Sequence, residues 1–346
     1  MKISAIGEDG LIERIRRLLP RSRHTLVGIG DDCAALHPSA GKDLLLTTDL
    51  LVEHVDFTKQ TTTPFRLGRK AMGVNLSDIA AMGGLPRASL VVLALPPDVE
   101  TEFVDELYRG LQEEGAPFGV EVIGGDLSAS STLMIGVTLV GEVEPGRAVT
   151  RSGAKPGDRI WITGRLGGSA AGLRALRAGF RLRDDQVEVP FEVSADLEKA
   201  IHAALERHLC PVPRVREGRA LAVAGVASAM IDLSDGLGTD LARLCHESEV
   251  SARISEDRIP IDPAASVIAQ HFGKDPMAMA LGGGEDFELL FSSSSKPTDI
   301  IELFSHGIAV TEVGEITEEA GHGCLLAQQN GTEIPLIVGY DHFRRQ

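Results

Sequence analysis

With 346 residues, the chain is longer than one ordinary domain, and 34 Lys and Arg against 50 Asp and Glu give it a formal net charge of −16. This charge argues against nucleic acid as a partner, and an aromatic content of 4% leaves few rings on which bases could stack. The cysteines form no C-x-x-C pair, and no apolar run approaches the length of a membrane span. We therefore expect a soluble cytoplasmic protein without a zinc site, a disulfide framework or a membrane partner.

Short β-branched runs alternate with amphipathic helical patterns, which predicts an α/β or α+β fold. The predicted helices are 10–19, 64–82, 101–114, 169–178, 195–208 and 236–246. The predicted strands are 44–47, 89–95, 121–123, 133–143, 159–163, 227–231 and 289–291. A turn signal rich in Gly and Pro at 153–158 indicates a domain boundary near residue 150, which gives domains 1–150 and 151–346.

Carboxylates recur beside glycines and hydroxyls near the predicted strand ends of the first half. Segment 28–34 contains two adjacent aspartates, which repel each other unless a cation lies nearby, although a plain surface turn looks the same. Thr47-Thr48-Asp49 lies at the end of the strand 44–47, where its side chains are well placed for a site in a crevice. A helix cap or a turn explains this motif equally well. Gly124-Gly125-Asp126 follows the strand 121–123, and hairpin turns have the same composition.

Asp78 falls within an apolar stripe of the predicted helix 64–82. The other members of the stripe are Leu67, Ala71, Val74 and Met82. A carboxylate in this stripe would be buried, which is costly without a cation or several hydrogen bonds. A site carboxylate is the favoured interpretation of Asp78, and a structural salt bridge to Arg69 or Lys70 is the alternative.

Two acidic loops stand out in the second half. The strand 227–231 is followed by Asp232 and Asp235, and the helix 236–246 begins directly after them. Asp235 is equally well explained as the N-cap of that helix, whereas Asp232 lies outside it. The second loop places three glycines before Glu285 and Asp286, which suits a small-molecule pocket more than a flexible loop tip because an apolar run follows.

Together these groups supply hard oxygen ligands, which Mg²⁺ prefers to the nitrogen and sulfur donors of zinc or copper sites. Because carboxylates repel phosphates, an acidic cluster can bind ATP only through metal ions. Arg151 could supply positive charge to a transferring phosphoryl group. The sequence contains no P-loop, protein-kinase, G-x-S-x-G or H-E-x-x-H motif. These observations predict an enzyme that holds several Mg²⁺ ions around the phosphates of a nucleotide.

In their order along the chain, these motifs closely resemble those of the thiamine-monophosphate kinase family over nearly the whole sequence. The matching segments are 28–34, 47–49, 75–83, 124–126, 150–158, 231–237, 283–286 and 339–343. The resemblance implies the two-domain fold of aminoimidazole ribonucleotide synthetase, with an N-terminal domain that binds ATP and Mg²⁺ and dimerises through its sheet. It also implies transfer of the ATP γ-phosphoryl group to thiamine monophosphate, with ATP and Mg²⁺ between the domains of each chain of a homodimer.

The resemblance also implies roles for individual residues. The implied metal ligands are Asp32, Thr47, Thr48, Asp49, Asp78, Asp126, Asp232 and Asp235. The implied ATP contacts are Gly125, Asp126, Arg151, Ser234 and, at the adenosine end, Tyr108. Of these, Asp78, Asp126, Arg151 and Asp232 are the expected catalytic residues. On the thiamine side the implied contacts are Glu285, Tyr340 and Asp56, which stands where the family often has His; His54 lies two residues earlier.

The acceptor in such a reaction is already an ionised phosphate, so transfer needs no general base. We therefore expect direct in-line transfer without a phosphoenzyme or a catalytic His. A sister enzyme such as a selenophosphate synthetase would need a reactive Cys near the N-terminus, and no cysteine precedes Cys33. The alternative from another class is a nucleotide- or metal-binding relative that has lost catalysis.

Overall fold

The computed structural model describes residues 1–19, 25–29, 33–305, 307–318 and 323–336. The chain divides into two compact units. Unit 1 comprises Met1–Ile79 and Gly84–Gly146, and unit 2 comprises Ala80–Gly83 and Arg147–Gln346. The chain thus changes unit four residues before the predicted boundary at 150, and unit 2 also includes a short segment from the first half. In the described ranges, no helix is long and apolar enough to cross a membrane.

Unit 1 is built on a four-stranded sheet with the strand order β3-β6-β4-β5. Its strands are β1 (Thr25–Val27), β2 (Ala35–Leu36), β3 (Asp43–Val52), β4 (Leu85–Leu95), β5 (Glu121–Ala129) and β6 (Met134–Val143). Its helices are α1 (Gly7–Leu18), α2 (Pro64–Ala81) and α3 (Thr101–Gly115). Strands β3 and β4 are antiparallel to β6, and β5 is parallel to β4. The remaining two strands, β1 and β2, pair with each other.

Helices α2 and α3 approach each other at backbone distance. A Cβ atom at Gly68 would lie 2.0 Å from the carbonyl oxygen of Leu107, and one at Gly110 would lie 1.9 Å from that of Phe65. One face of the sheet lies against α2, where Ile79 is next to Gly141, and we call it the inner face. The opposite face of the sheet is the outer face. Side chains of the inner face such as Val91, Leu93 and Ile135 are buried. The core of unit 1 therefore lies between this face and the helices.

Two strands of unit 1 are longer than the sequence predicted. Strand β3 continues through Thr47-Thr48-Asp49 to Val52, and β5 continues through Gly124-Gly125-Asp126 to Ala129. The predictions of strand ends at these two motifs were wrong. Asp and Gly are depleted in strands, so both motifs read as turns, but ladder pairing with β6 and β4 overrides this local preference.

Unit 2 is built on a seven-stranded sheet of order β10-β12-β7-β13-β11-β14-β15, with only β11 and β14 parallel. Its strands are β7 (Arg159–Thr163), β8 (Arg181–Arg183), β9 (Gln186–Glu188), β10 (Ala229–Asp232), β11 (Ser251–Ser255), β12 (Leu289–Ser293), β13 (Val310–Thr317), β14 (Cys324–Ala327) and β15 (Glu333–Pro335). Its helices are α4 (Gly168–Arg177), α5 (Ala195–Leu209), α6 (Val215–Ala224), α7 (Leu237–Ser248), α8 (Pro263–His271), α9 (Pro276–Gly282) and α10 (Pro297–Leu303). The mixture of helices with largely antiparallel sheets in both units is an α+β architecture.

Two apolar clusters form the core of unit 2. One joins the sheet to α7 through side chains such as Ile160, Ile231 and Leu241. The other packs α4, α5 and α8 together through Ala171, Ile201 and other buried residues. The end of β10 and the beginning of β12 lie side by side in the sheet, where Asp232 pairs with Leu289. This pairing brings the two acidic loops of unit 2 together.

Candidate functional site

The inner face of unit 1 carries an acidic cluster that joins β3 to α2. The hydroxyl Oγ1 of Thr47 donates a hydrogen bond to Oδ2 of Asp78. Asp49 lies two residues further along β3, and successive side chains of a strand point to opposite faces, so Asp49 shares the face of Thr47. Strand and helix thus bring together three of the predicted metal ligands.

The carboxylates of this cluster carry like charges and repel each other. Burial, together with the nearby carboxylates of Asp78 and Asp56, raises the pKa of Asp49 to about 6. Asp56 follows β3, and its Oδ2 accepts a hydrogen bond of 2.8 Å from the backbone N–H of Val52. A divalent cation in this cluster would relieve the repulsion, because ionised carboxylates held close together need a nearby positive charge.

Asp78 is half-buried rather than fully buried. Arg69, one of its predicted alternative partners, donates from Nε to Oε2 of Glu114 on α3, at 2.8 Å. Lys70, the other alternative, is a buried residue of α2.

Two of the predicted ligands lie on the outer face instead. Thr48 pairs with Thr138 and Asp126 pairs with Val92, and residues opposite each other in a ladder share a face. The Oγ1 atoms of Thr138 and Thr48 are hydrogen-bonded at 3.1 Å. The set of ligands that the sequence presented as one group therefore divides between the two faces of the sheet.

Gly125 and Tyr108, two of the predicted ATP contacts, both take part in the packing of unit 1. A Cβ atom at Gly125 would lie 1.8 Å from the carbonyl oxygen of Val91, so the close pairing of β5 with β4 already requires a glycine there. Tyr108 is 3% exposed in α3, and burial raises the pKa of its hydroxyl above the usual value. Its ring is therefore part of the core of unit 1 in this structure.

In unit 2 the two acidic loops form one continuous backbone arrangement beyond β10 and β12. The N–H of Glu285 donates to the carbonyl of Ser234 at 2.8 Å, and the N–H of Phe287 donates to that of Leu233 at 2.9 Å. A Cβ atom at Gly284 would lie 2.6 Å from the Ser234 carbonyl oxygen, so this close approach requires a glycine. The loops predicted separately from the sequence therefore belong to one site.

Asp232 and Asp235 differ in their surroundings. Asp232 ends β10 and is 3% exposed, which agrees with its predicted place outside the helix. Asp235 is not the N-cap of α7, because Gly236 occupies that position, and the capping alternative was wrong. Its Oδ2 instead pairs with Nη1 of Arg243 at 2.5 Å.

The turn at Asp235 is supported by Asp240, a residue that the sequence analysis did not single out. Oδ2 of Asp240 accepts from the backbone N–H of Asp235 at 2.9 Å, and its Oδ1 accepts from Arg243 at 2.9 Å. Burial raises the pKa of Asp240 to about 6. Its place on the first turn of α7 was visible in the sequence, but its link to Asp235 was not.

Glu285 presents its carboxylate beside a buried histidine. Oε2 of Glu285 lies 3.3 Å from Nδ1 of His208, and the same nitrogen lies 2.9 Å from Oγ of Ser169. The side chain of Glu285 is 32% exposed, so it can reach a ligand from solvent. The next residue, Asp286, accepts from the backbone N–H groups of Gly167 at 2.6 Å and Ser169 at 3.0 Å.

Glu288 is fully buried between two arginines. Arg214 donates to its carboxylate from Nη2 at 2.5 Å and from Nε at 2.6 Å, and Arg207 donates from Nη1 at 3.2 Å. Oγ1 of Thr163 donates at 2.9 Å. Sequence reasoning missed this network because its arginines come from α5 and from the residue before α6, far along the chain.

The other predicted residues are exposed or half-buried, or they lie outside the described ranges. Arg151 is exposed, and its carbonyl accepts a hydrogen bond of 2.8 Å from Oγ of Ser248. Ser234 is half-buried in the loop after β10, and His54 is exposed. Asp32 and Tyr340 lie outside the residues that the structure describes.

The donors of both units fit Mg²⁺, since they are carboxylate and hydroxyl oxygens. Within the described part of the chain, no group of three or more His, Cys, Asp or Glu residues could hold a metal by itself. Mg²⁺ usually takes one or two carboxylates and completes its shell with water and substrate phosphates.

Comparison with known families gives the class of this protein. The chain matches AIR synthase related protein, N-terminal domain, over residues 30–143, and AIR synthase related protein, C-terminal domain, over residues 155–326. The two matches together span most of the chain, so it is an AIR synthase related protein with both domains of that class.

Full-length relatives give the family within this class. The chain is 36% identical to thiamine-monophosphate kinase of Aquifex aeolicus over 321 residues, which are 93% of this chain and 95% of the relative. The structure of thiamine-monophosphate kinase from Stenotrophomonas maltophilia K279a superposes with a TM-score of 0.79 at 32% identity, covering 92% of this chain and 95% of that one. The structure of AaThiL complexed with AMPPCP and TMP gives a TM-score of 0.73 at 35% identity, with 96% of both chains covered. The chain therefore belongs to the thiamine-monophosphate kinase family.

Proposed function

We propose that this chain transfers the terminal phosphoryl group of ATP directly to the phosphate of thiamine monophosphate, forming thiamine diphosphate and ADP. The observation that carries this proposal is family membership over nearly the full length, at 36% identity to the relative from Aquifex aeolicus. The structure of a relative complexed with AMPPCP and TMP supports the same pair of substrates. The acidic residues of each unit supply the chemistry that such a reaction needs.

In unit 1, we assign the acidic cluster on the inner face to metal binding. Thr47 fixes the orientation of the Asp78 carboxylate, and Asp49 adds a second carboxylate on the same face. Resemblance alone assigns Thr48, Asp126 and the backbone at Gly125 to metal and nucleotide, because Thr48 and Asp126 lie on the opposite face of the sheet from this cluster. Mg²⁺, when bound, supplies the positive charge that offsets repulsion between two phosphorylated substrates.

In unit 2, Asp232, Asp235 and Ser234 occupy one loop, which we assign to metal and ATP phosphates. The exposed guanidinium of Arg151 would neutralise charge on the transferring group. Glu285 would face the thiamine end, with Asp56 of unit 1 and Tyr340 as the further substrate contacts that resemblance assigns. Because the acceptor phosphate is itself a nucleophile, we assign no residue as a general base.

The decisive experiment incubates the purified chain with ATP, MgCl₂ and thiamine monophosphate and measures thiamine diphosphate by chromatography. We expect product in an amount equal to ADP and none after chelation with EDTA. An absence of thiamine diphosphate while ATP and thiamine monophosphate both bind would support a relative that has lost catalysis.

We further propose that the outer face of the unit 1 sheet forms a homodimer. Large apolar side chains are exposed there at Leu44 (51%), Leu46 (70%), Leu50 (56%) and Val92 (43%). Such an exposed apolar patch is typical of a protein interface. A homodimer also follows from the family resemblance.

Leu46→Glu should convert a dimer into the 36.8 kDa monomer, measured by light scattering after gel filtration. Ile301→Glu is the matched control, because this apolar residue is 55% exposed in α10 of unit 2. A wild-type monomer, or a Leu46→Glu dimer, would contradict the proposed interface.

A further inference from the structure

The loop between α9 and β12 has an unusual backbone. Glu285 and Phe287 have φ angles of 67° and 50°, in the left-handed region that residues with a side chain rarely adopt. Two such residues flank Asp286 within one short loop. Strained backbone of this kind persists only where the surrounding structure over-determines it, and it clusters at functional sites.

The contacts of Asp286 explain how the strain is maintained. Its Oδ2 and Oδ1 accept hydrogen bonds from the N–H groups of Gly167 and Ser169, at the beginning of α4. The first N–H groups of a helix have no partners within the helix, and they carry the positive end of its dipole. Gly167 occupies the N-cap position and has no side chain to accept these bonds. Asp286 therefore caps α4 from a distant part of the chain.

The same contacts determine where the neighbouring side chains lie. With Asp286 directed to α4, Phe287 packs into the core, where it is 5% exposed. The backbone of Glu285 is held by the carbonyl of Ser234 at 2.8 Å. The carboxylate of Glu285 is left partly exposed, 3.3 Å from His208. The left-handed conformation at Glu285 is thus the one that presents its carboxylate to solvent beside His208.

We propose that Asp286 is a positioning residue, which caps α4 and thereby holds Glu285 in the left-handed conformation that presents its carboxylate to the substrate. The inference rests on the proposed function, in which Glu285 faces the thiamine end of thiamine monophosphate. Asp286 does not touch the substrate in this proposal. It acts through the orientation of Glu285. Loss of Asp286 should therefore change the KM for thiamine monophosphate much more than the KM for ATP.

Asp286→Ala tests this by the steady-state kinetics of both substrates. We expect the KM for thiamine monophosphate to rise about tenfold or more and the KM for ATP to change less than about twofold. Asp286→Asn keeps one carbonyl oxygen for α4 and should fall between Asp286→Ala and wild type. A purely structural cap would lower the thermal midpoint and leave both KM values unchanged, and that result would overturn the proposal.

Glu285→Gly tests the same role through a variant whose KM for thiamine monophosphate and thermal midpoint should both rise. Glycine adopts positive φ without steric cost, so this variant should raise the thermal midpoint while the KM for thiamine monophosphate rises. Glu249→Gly is the matched control, because Glu249 has φ 56° at the exposed end of α7. It should raise the thermal midpoint with kinetics unchanged. A Glu285→Gly variant with normal kinetics would overturn the role of this carboxylate.

Failure of the positioning role and failure of the proposed function are distinguishable. If wild-type protein forms no thiamine diphosphate, both are overturned. If wild-type protein forms thiamine diphosphate and Asp286→Ala has an unchanged KM for thiamine monophosphate, only the positioning role is overturned.

Discussion

The acidic residues of the two units differ in what surrounds them. In unit 1, Asp49 lies near Asp78 and Asp56, and burial together with these charges raises its pKa to about 6. In unit 2, Asp235 pairs with Arg243, and Glu288 lies between Arg207 and Arg214. Asp235 and Glu288 of unit 2 are therefore paired with cations of the chain itself, whereas the carboxylates near Asp49 raise its pKa.

This difference indicates a division of labour between the units. Elements of regular structure hold the acidic cluster of unit 1, where β3 and α2 fix Thr47, Asp49 and Asp78. In unit 2, Asp235 lies in the loop after β10, and its ion pair with Arg243 supports that loop. We expect metal dependence to be strongest in unit 1 and stability to depend most on the charged network of unit 2.

Removal of the Glu288 charge should produce the largest effect on stability. In Glu288→Gln, Arg214, whose side chain is 11% exposed, would lose its fully buried carboxylate partner, and breaking a buried ion pair costs about 3–5 kcal/mol. The free energy of unfolding, measured by urea titration, should fall by this amount. Glu315→Gln is the control, because Glu315 is 57% exposed in its pair with Arg253 and should change stability by less than about 1 kcal/mol. Equal effects of both variants would contradict the comparison.

The largest effect on turnover is expected from Asp78→Asn. Loss of one charged group from a phosphoryl-transfer site typically lowers kcat about 10²–10³-fold, and the half-buried Asn should leave the fold intact. Stabilisation of the variant by MgCl₂ in a thermal-shift assay should also be weaker than that of wild type. Asp43→Asn at the exposed beginning of β3 should behave like wild type. Near-normal turnover of Asp78→Asn would exclude an essential role for this carboxylate.

Asp49 should make the stability of the metal-free protein depend on pH. Its pKa of about 6 in the folded protein exceeds the ordinary value of 3.8 for an aspartate, so the folded state favours the protonated form. Its contribution is therefore fully present below about pH 4 and is lost as pH rises through 6. At pH 8 in EDTA, Asp49→Asn should be more stable than wild type by on the order of 1–2 kcal/mol, after allowance for partial exposure. This prediction would be contradicted if the free energies of unfolding of Asp49→Asn and wild type, measured by urea titration, differed by the same amount at pH 4 and pH 8.

Arg243→Ala should produce the smallest effect on stability. The side chain of Arg243 is 42% exposed, so loss of its pairs with Asp235 and Asp240 should cost about 1 kcal/mol or less. Without the guanidinium, these two carboxylates should depend more on added cations, so MgCl₂ should raise the thermal midpoint more than in wild type. Arg253→Ala, which removes an arginine 49% exposed on β11, is the control. An identical response to MgCl₂ in both variants would show that Arg243 does not balance the Asp235 loop.

The sequence predicted some positions well and others wrongly, for identifiable reasons. The helical spacing of the apolar stripe placed Asp78 on the buried side of α2, where it meets Thr47. The apolar strand before Asp232 likewise predicted its position outside the helix, and Asp232 ends β10. Local composition failed at Thr47–Asp49 and Gly124–Asp126, because residues typical of turns lie within strands whose pairing is set by distant segments.

By itself, the sequence determined the helix periodicity, the acidic motifs and the family that these motifs indicate in order. Only the tertiary structure decided which face of the sheet each carboxylate occupies, and which cations of the chain balance it. Arg207 and Arg214 lie 81 and 74 residues before Glu288, and Asp286 lies 119 residues after the Gly167 N–H that it caps. Local patterns report burial and helix or strand periodicity. Pairings across such distances arise only when packing brings the segments together.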